Sequence, residues 1–587
     1  MTMRHWFLMA VCIAASFGSL TAAELTDAEL LKQVPASERA LRDQVDHWGL
    51  PFSEQLRRFV AARDAWRKTL GPQAPQNFWV GIQHGLEKVP SNKYWFKGRP
   101  GNSASLDAAR NEYESFQVAV IPDFGKTCNT VTLTASGDLE REAGHGCIAR
   151  DQITIYRVAY VKTRPVPYPT LYCGPWPDPL LPNGPMKITG SDLGLFWVEV
   201  HVPRDASPGR YRGRLSLTVD GTSTLIEVSL RVRAFSLPDR VPFPVTAWVM
   251  PKGPSGEAMS AADYRAMLGE LLAHGVDPIS VGKDFVRLDS NDFRTLDENL
   301  EYCLARGLQT FEIPNGGPKP ERIKPLVEHL RQKGWLSKAI VYSNQDEPSE
   351  SQLHERNIPY RRRIQTLYPD LRVYLASQYF PDIADACDIW MTDVSTGRGA
   401  AFAATNHGSA SLWFYFCHMP LHADYVRPLV QAPNMEIDNE AIEHRLTLWL
   451  AWKYQTTGMF IYAGNHEWFA EGIDRSDWQT KGWTLADKPY PFPLAGVHNG
   501  NGYLVYPGPT PSVRLKAIRD GLEDFGYFME LKRRADATTD ATLKREADAL
   551  LAVSSEVLTD AHYFNRDPLR LLDVRRRMAT LIERLEK

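Results

Sequence analysis

The stretch "YSNQDEPSE", residues 342–350, sets two carboxylates, Asp346 and Glu347, side by side. Paired carboxylates are the usual equipment for general acid–base work on a glycosidic bond. Ordinary pairs stand on separate elements, about 5 to 9 Å apart across the scissile bond. Neighbours in sequence do not readily flank a sugar in that way. They suit a substrate that brings its own nucleophile, such as a 2-acetamido sugar, whose carbonyl oxygen attacks its own anomeric carbon. One carboxylate then holds the acetamido N–H and stabilises the oxazolinium-like intermediate. The other protonates the leaving oxygen and afterwards activates water. Glu347 has the longer reach and suits the acid/base role; Asp346 suits the orienting role. Two adjacent negative charges raise the proton affinity of one member. The same "DEP" also reads as helix-start chemistry, with Asp at the N-cap, Glu in the first turn and Pro at the first position. The two readings are compatible.

The surrounding elements decide where the pair stands. From residue 239 onward short apolar runs alternate with helical stretches: "VTAWVM", "DPISVG", "TFEIP", "KAIVYS", "LRVYLAS", "CDIWMT", "ASLWFYF" and "GMFIYAG". Strand–helix alternation implies a parallel sheet, and eight units imply a (β/α)8 TIM-like barrel. The fifth connection, "QYFPDIADA", is short for a crossover helix, so an open doubly wound sheet is the alternative. Asp346 and Glu347 follow the fourth run, at the strand end where barrel sites are built. Sugar-compatible groups recur at the strand ends: Tyr342 and Asn344, then Gln378 and Tyr379, Trp390 and Asp393, Trp413 and Tyr415, and Asn465, His466 and Trp468. All of these but Asp393 and His466 form the candidate substrate-binding set, with indole faces suited to the C–H faces of sugars and equally to a core.

Upstream, residues 76–238 carry period-two alternation broken by Gly, Pro and Asp, which predicts an antiparallel β-sandwich. Within it "YPTLYCGPWPDPLLPNGP", 168–185, reads as a long loop. Residues 24–75 read as a charged helical segment and 511–587 as a C-terminal helical region. Residues 1–23 have the layout of a signal peptide: Arg4, then a short apolar run, then small residues before a cleavage point at Ala23. A membrane anchor is the competing reading. No later segment is apolar enough to span a bilayer, so the mature chain is expected to be exported, periplasmic or extracellular.

The formal net charge of -3 offers no basic face for nucleic acid. No Cys-x-x-Cys or His-x-x-x-His spacing suggests a metal, and no cofactor is expected. Export permits disulfides, and Cys128 with Cys147 either pair or remain buried thiols. The oligomeric state is not legible.

The chain resembles glycoside hydrolase family 123, the β-N-acetylgalactosaminidase family. The resemblance is carried by "NEYESFQVAV" (111–120), "GRYRGRLSLTV" (209–219), "VRAFSLP" (232–238), "YSNQDEP" (342–348), "WLAWKYQTTGMFIYAGNHEW" (449–468), "GYLVYPG" and "PSVRLKAIRDGLEDFGYF" (511–528). It implies a β-sandwich followed by a (β/α)8 barrel, and a retaining, substrate-assisted mechanism whose Asp–Glu pair maps onto Asp346 and Glu347. Gly526 departs from the family, which commonly has an acidic residue there. Glu112 and Glu114 read as structural, and "RDGLED" as a buried salt-bridge network. Two other readings stand beside the hydrolase of 2-acetamido sugars. One is a non-catalytic carbohydrate-binding protein. The other is a glycosidase for sugars lacking the acetamido group, in which Asp393 or Glu467 partners Glu347.

Overall fold

The structure is a computed structural model and describes residues 26–39, 46, 49–166, 170–377, 379–392, 410–416, 432–466, 468, 483–484 and 498–586. The expected leader, 1–23, lies outside them. Among the described residues no helix is long and apolar enough to cross a membrane.

The first half folds as two seven-stranded sheets packed face to face. Alternation drives this: along Thr222–Ser236 the side chains of Ile226, Val228, Leu230 and Val232 turn inward while Leu225, Glu227 and Arg231 face water. That strand pairs with Gly209–Val219 through Asp220 and Gly221, whose φ values of 47° and 84° suit a tight hairpin of the kind Asp-Gly favours. Pairing is antiparallel except where Ser103–Arg110 runs parallel to Thr222–Ser236, and where Trp483–Thr484 adds a parallel rung to Ile153–Lys162. The N-terminal helix Phe52–Leu70 packs on this core through Phe52, Leu56, Phe59 and Trp66.

The proline-rich stretch corrects the loop expected over 168–185. Pro175–Pro182 is a strand, paired antiparallel with Ile153–Lys162 across a bulge between Val158 and Tyr160. Proline removes a ladder donor, which a bulged strand off the sheet's main path tolerates. Cys128 is buried, Cys147 is exposed, and both are free thiols.

The second half is a nearly closed barrel of eight parallel strands. Barrel strands one to eight are Val245–Ala247, Val276–Pro278, Phe311–Ile313, Ala339–Tyr342, Arg372–Ala376, Ile389–Thr392, Ser411–Phe416 and Gly458–Ile461, one in each expected run. Their spatial order is two-one-eight-seven-six-five-four-three, without the reversal of a doubly wound sheet. Strands two and three do not pair. At that seam Asp277 substitutes for a ladder: its Oδ2 accepts from the backbone N–H of Gln309 at 3.0 Å and Thr310 at 3.2 Å. Gly282 follows closely, since a Cβ there would collide with the Glu312 carbonyl. The short fifth connection is a 3-10 helix, Pro381–Ala386. The sixth lies mostly outside the described residues.

Helix Val513–Ala537 joins the halves. It packs on Ala441–Lys453 of the barrel and sends charged groups to the sandwich. Arg514 bonds Asp178, Lys516 and Arg519 bond Glu199, and Asp524 is gripped by Arg445. Glu112, fully buried, meets Arg575 and the Tyr527 hydroxyl. The acidic residues of "NEYESFQ" and "RDGLED" therefore form an interdomain network far richer in partners than the pair at strand four.

Candidate active site

Barrel strands alternate between two surroundings. Ile340, Tyr374, Met391, Trp413 and Phe460 fill the lumen. Val341, Val373, Trp390, Phe414 and Met459 face the outer layer. Strand four ends at Tyr342, and the chain then turns outward through Ser343, Asn344 and Gln345 to the acidic pair. Buried Asn357 pins this turn: its Nδ2 donates to Ser343 Oγ at 2.7 Å and to the Gln345 carbonyl at 3.0 Å. Asn357 closes a π-helical turn, Leu353–Asn357, an irregularity often found near functional sites.

The helix that follows is capped by Ser349, not by Asp346. Ser349 Oγ accepts from the Gln352 N–H, and Gln352 Oε1 accepts from the Ser349 N–H at 2.9 Å, a reciprocal capping box. Asp346 is thus released from the capping role that "DEP" suggested. It lines an open cavity of about 610 Å³ over the barrel, and its Oδ1 accepts from the Tyr342 hydroxyl. Tyr342 leans on Tyr374, the ring centroids 4.8 Å apart. Burial, then the Asp346 charge, pushes the Tyr342 hydroxyl well above its usual range, so it stays a donor.

Glu347 sits next to Asp346 with φ at +39°, in the left-handed region that non-glycine residues rarely adopt. Such strain costs on the order of 1–3 kcal/mol and clusters at functional sites. Glu347 is an exposed residue beside the cavity's lining. Partial desolvation, then the adjacent Asp346 charge, raises its proton affinity above that of an ordinary glutamate.

The remaining expected site residues divide. Tyr342, Asn344 and Tyr415 line the cavity with Asp346. Trp413 is in the lumen but below the cavity, against Gly458, where any Cβ would collide with the indole. Trp390 is fully buried on the outer face, edge-on to Tyr379 at 5.4 Å, so neither reaches the cavity. Asn465 ties strand eight to strand one, bonding the backbone N–H and carbonyl of Met250, each at 2.8 Å. Trp468 is buried, its indole N–H donating to the Val505 carbonyl at 2.7 Å. Gln378, Asp393 and Glu467 lie outside the described residues.

Sequence reasoning passed over several lining groups. Trp248 follows strand one, Glu312 lies on strand three, and Lys283 follows strand two. A signal existed for Glu312: it is the lone charge inside the apolar run "TFEIP". Among the described residues no cluster of three or more His, Cys, Asp or Glu is placed to hold a metal.

A parallel barrel whose wide cavity has aromatic walls and Asp346 on its lining, with Glu347 next in sequence, has the make-up of a carbohydrate-cleaving site. Residues 320–531, which contain that pair, match the family model "Glycoside hydrolase 123, catalytic domain". Over that segment the chain carries a glycoside hydrolase family 123 catalytic domain. A solved family 123 glycoside hydrolase from Clostridium perfringens, described for glycolipid glycan hydrolysis, superimposes with a TM-score of 0.62 at 15% identity, covering 87% of this chain and 97% of that one. At that identity the likeness speaks for the fold. A Parabacteroides merdae β-glucuronidase reaches a TM-score of 0.28 at 11% identity, covering 76% of this chain and 54% of that one, too slight a likeness to bear on either fold or activity. No curated protein matches the sequence.

Proposed function

We propose that this protein is an exported, retaining family 123 glycoside hydrolase that releases β-linked 2-acetamido-2-deoxy sugars, N-acetylgalactosamine foremost. The observation that carries the reading is Asp346 on the cavity wall, free of capping duty, with a carboxyl of raised proton affinity adjacent to it. In the first step the substrate's acetamido oxygen bonds to the anomeric carbon while the glycosidic C–O bond breaks. Glu347 gives its proton to the leaving oxygen, and Asp346 accepts a hydrogen bond from the acetamido N–H. In the second step Glu347, now a carboxylate, takes a proton from water as that water opens the oxazolinium ring. The anomeric configuration is retained after two inversions. Tyr342 fixes the Asp346 carboxylate by its hydroxyl. The glycolipid glycan hydrolysis described for the Clostridium enzyme supports a glycoconjugate as the natural substrate.

A panel of aryl glycosides tests this. We expect cleavage of the aryl β-N-acetylgalactosaminide, β-configured product at early times by NMR, and tight binding of an N-acetylthiazoline-type inhibitor. Cleavage confined to sugars without a 2-acetamido group, or indifference to the inhibitor, would overturn the substrate-assisted reading. Sugar binding with no turnover of any glycoside would favour the carbohydrate-binding alternative.

A further inference from the structure

The cavity holds a second polar set that this reaction leaves unused. Glu312, on strand three, lines the cavity yet is only 4% exposed. Its Oε2 accepts from Trp248 Nε1 at 3.0 Å and pairs with Lys283 Nζ at 2.6 Å. Burial, then the nearby Glu312 charge, keeps the Tyr374 hydroxyl protonated. Lys283 in turn stands over the Trp248 indole, 3.9 Å from its centroid. Glu312 is buried and Lys283 part-buried; taking such a carboxylate out of water costs several kcal/mol before the attraction offsets it, and packed apolar side chains of similar volume often serve stability as well or better. Stability alone is therefore a weak reason for this pair in a barrel lumen.

Donor and acceptor capacity supplies a better one. A lysine ammonium has three N–H donors. Glu312 engages one and the indole face lies along another direction, which leaves a donor for a ligand. An ionised carboxylate offers about four lone-pair sites. Trp248 and Lys283 engage two. A spare donor and a spare acceptor thus stand side by side at one wall. A sugar hydroxyl fits both, accepting from Lys283 and donating to Glu312. The pair also has a fixed relation to the reacting end. Glu312 is in register with Ile340, two residues before Tyr342, whose hydroxyl holds Asp346.

We infer that Lys283 and Glu312 bind a ring hydroxyl of the sugar whose acetamido group meets Asp346, and so determine which hexosamine the cavity accepts. The inference rests on the proposed reading that a 2-acetamido sugar occupies the cavity. A site built to hydrogen-bond a hydroxyl rejects the analogue lacking it, because its own buried polar groups are then left unpaired.

The test is a cycle of protein and ligand deletions read by equilibrium binding, so it does not depend on turnover. The ligands are the methyl β-glycoside of N-acetylgalactosamine, its 3-deoxy, 4-deoxy and 6-deoxy forms, and its 4-epimer. The proteins are the full chain, Lys283→Met and Glu312→Gln. In the unaltered protein one deoxy form should bind at least about 10-fold more weakly than the parent sugar, as befits a lost bond to a charged group. In either variant that penalty should shrink to about twofold or less, since the two deletions remove one interaction. A structural role would weaken all ligands alike and preserve the penalty. Penalties unchanged in both variants, or no deoxy penalty in the unaltered protein, would overturn the inference. If Glu312→Gln does not fold, Lys283→Met alone closes the cycle. Recovery of aryl-glycoside turnover by azide in Glu312→Ala would make Glu312 a nucleophile and would also overturn it. An unaltered protein that binds these sugars without cleaving them would sink the proposed reaction while the cycle still reads this pair.

Discussion

Glu199 in the domain interface and Glu347 beyond barrel strand four carry the same side chain, yet their proton affinities move in opposite directions. Burial by itself would raise the Glu199 carboxyl; Arg519 and Lys516, at 2.7 Å and 3.0 Å, overcome it and hold the group at about 2. Among the described residues no cation pairs with Glu347. Partial desolvation and then Asp346 raise it. Asp178 and Asp346 repeat the contrast. Asp178 is fully buried and bonded by Arg514 and the Tyr506 hydroxyl, whereas Asp346 faces a cavity and, among the described residues, takes one side-chain bond, from Tyr342. Acidic residues with cationic partners hold the halves together. Those left facing open space, on a strained turn, are the ones the proposed reaction uses.

The first way to break this comparison is to take a cation from the interface. Arg514→Met leaves buried Asp178 without its guanidinium and releases the carbonyls of Met435 and Gly500, which Arg514 bonds at 3.0 Å and 2.7 Å. Removing one partner of a buried pair costs about 3–5 kcal/mol, a large share of the roughly 5–15 kcal/mol that holds an ordinary domain. Chemical denaturation should show that loss, and activity should fall only with the folded fraction. A midpoint unchanged from the parent would refute the structural role of the network.

The second variant should do the opposite. Glu347→Gln removes the proposed proton donor and relieves like-charge crowding. Hydrolysis of an aryl N-acetylgalactosaminide should drop by about 10²- to 10⁴-fold, the usual range for a general acid, while the denaturation midpoint stays put or rises slightly. Full activity in this variant would end the assignment of Glu347.

Different parts of this contrast were legible in the sequence to different degrees. The eight barrel strands were, because each is an apolar run between helical stretches. Which strand residues face the lumen was not. Parallel strands are buried on both faces, so their sequences carry no polar alternation to tell inside from outside. Trp390 and Trp413 look alike in sequence; only the pairing register puts one outside and the other within. The seam closed by Asp277 was equally hidden, since a carboxylate that stands in for a ladder looks like any strand-end acid. Two features were visible and passed over. "SESQ", 349–352, has the spacing of a capping box and already relieved Asp346 of that task. Glu312 interrupts an apolar strand, where a charge needs a reason. Pro175–Pro182 misled because proline density usually signals a loop, and only tertiary placement supplies the bulged pairing that tolerates it.

The finest test of the contrast concerns two adjacent charges. If Glu347 owes part of its raised proton affinity to Asp346, then Asp346→Asn lowers that affinity by deleting the neighbouring charge. A general acid works only while protonated, so activity falls as pH rises through its pKa. The alkaline limb of kcat/KM should therefore move to lower pH in Asp346→Asn, superimposed on a fall in rate at every pH from the lost hold on the acetamido group. Asparagine keeps the size of the side chain and leaves the Tyr342 hydroxyl an oxygen to bond, so a packing defect would lower the rate without moving the limb. An alkaline limb unmoved in this variant would mean that Glu347 is tuned by its surroundings alone, and that the two carboxylates act independently.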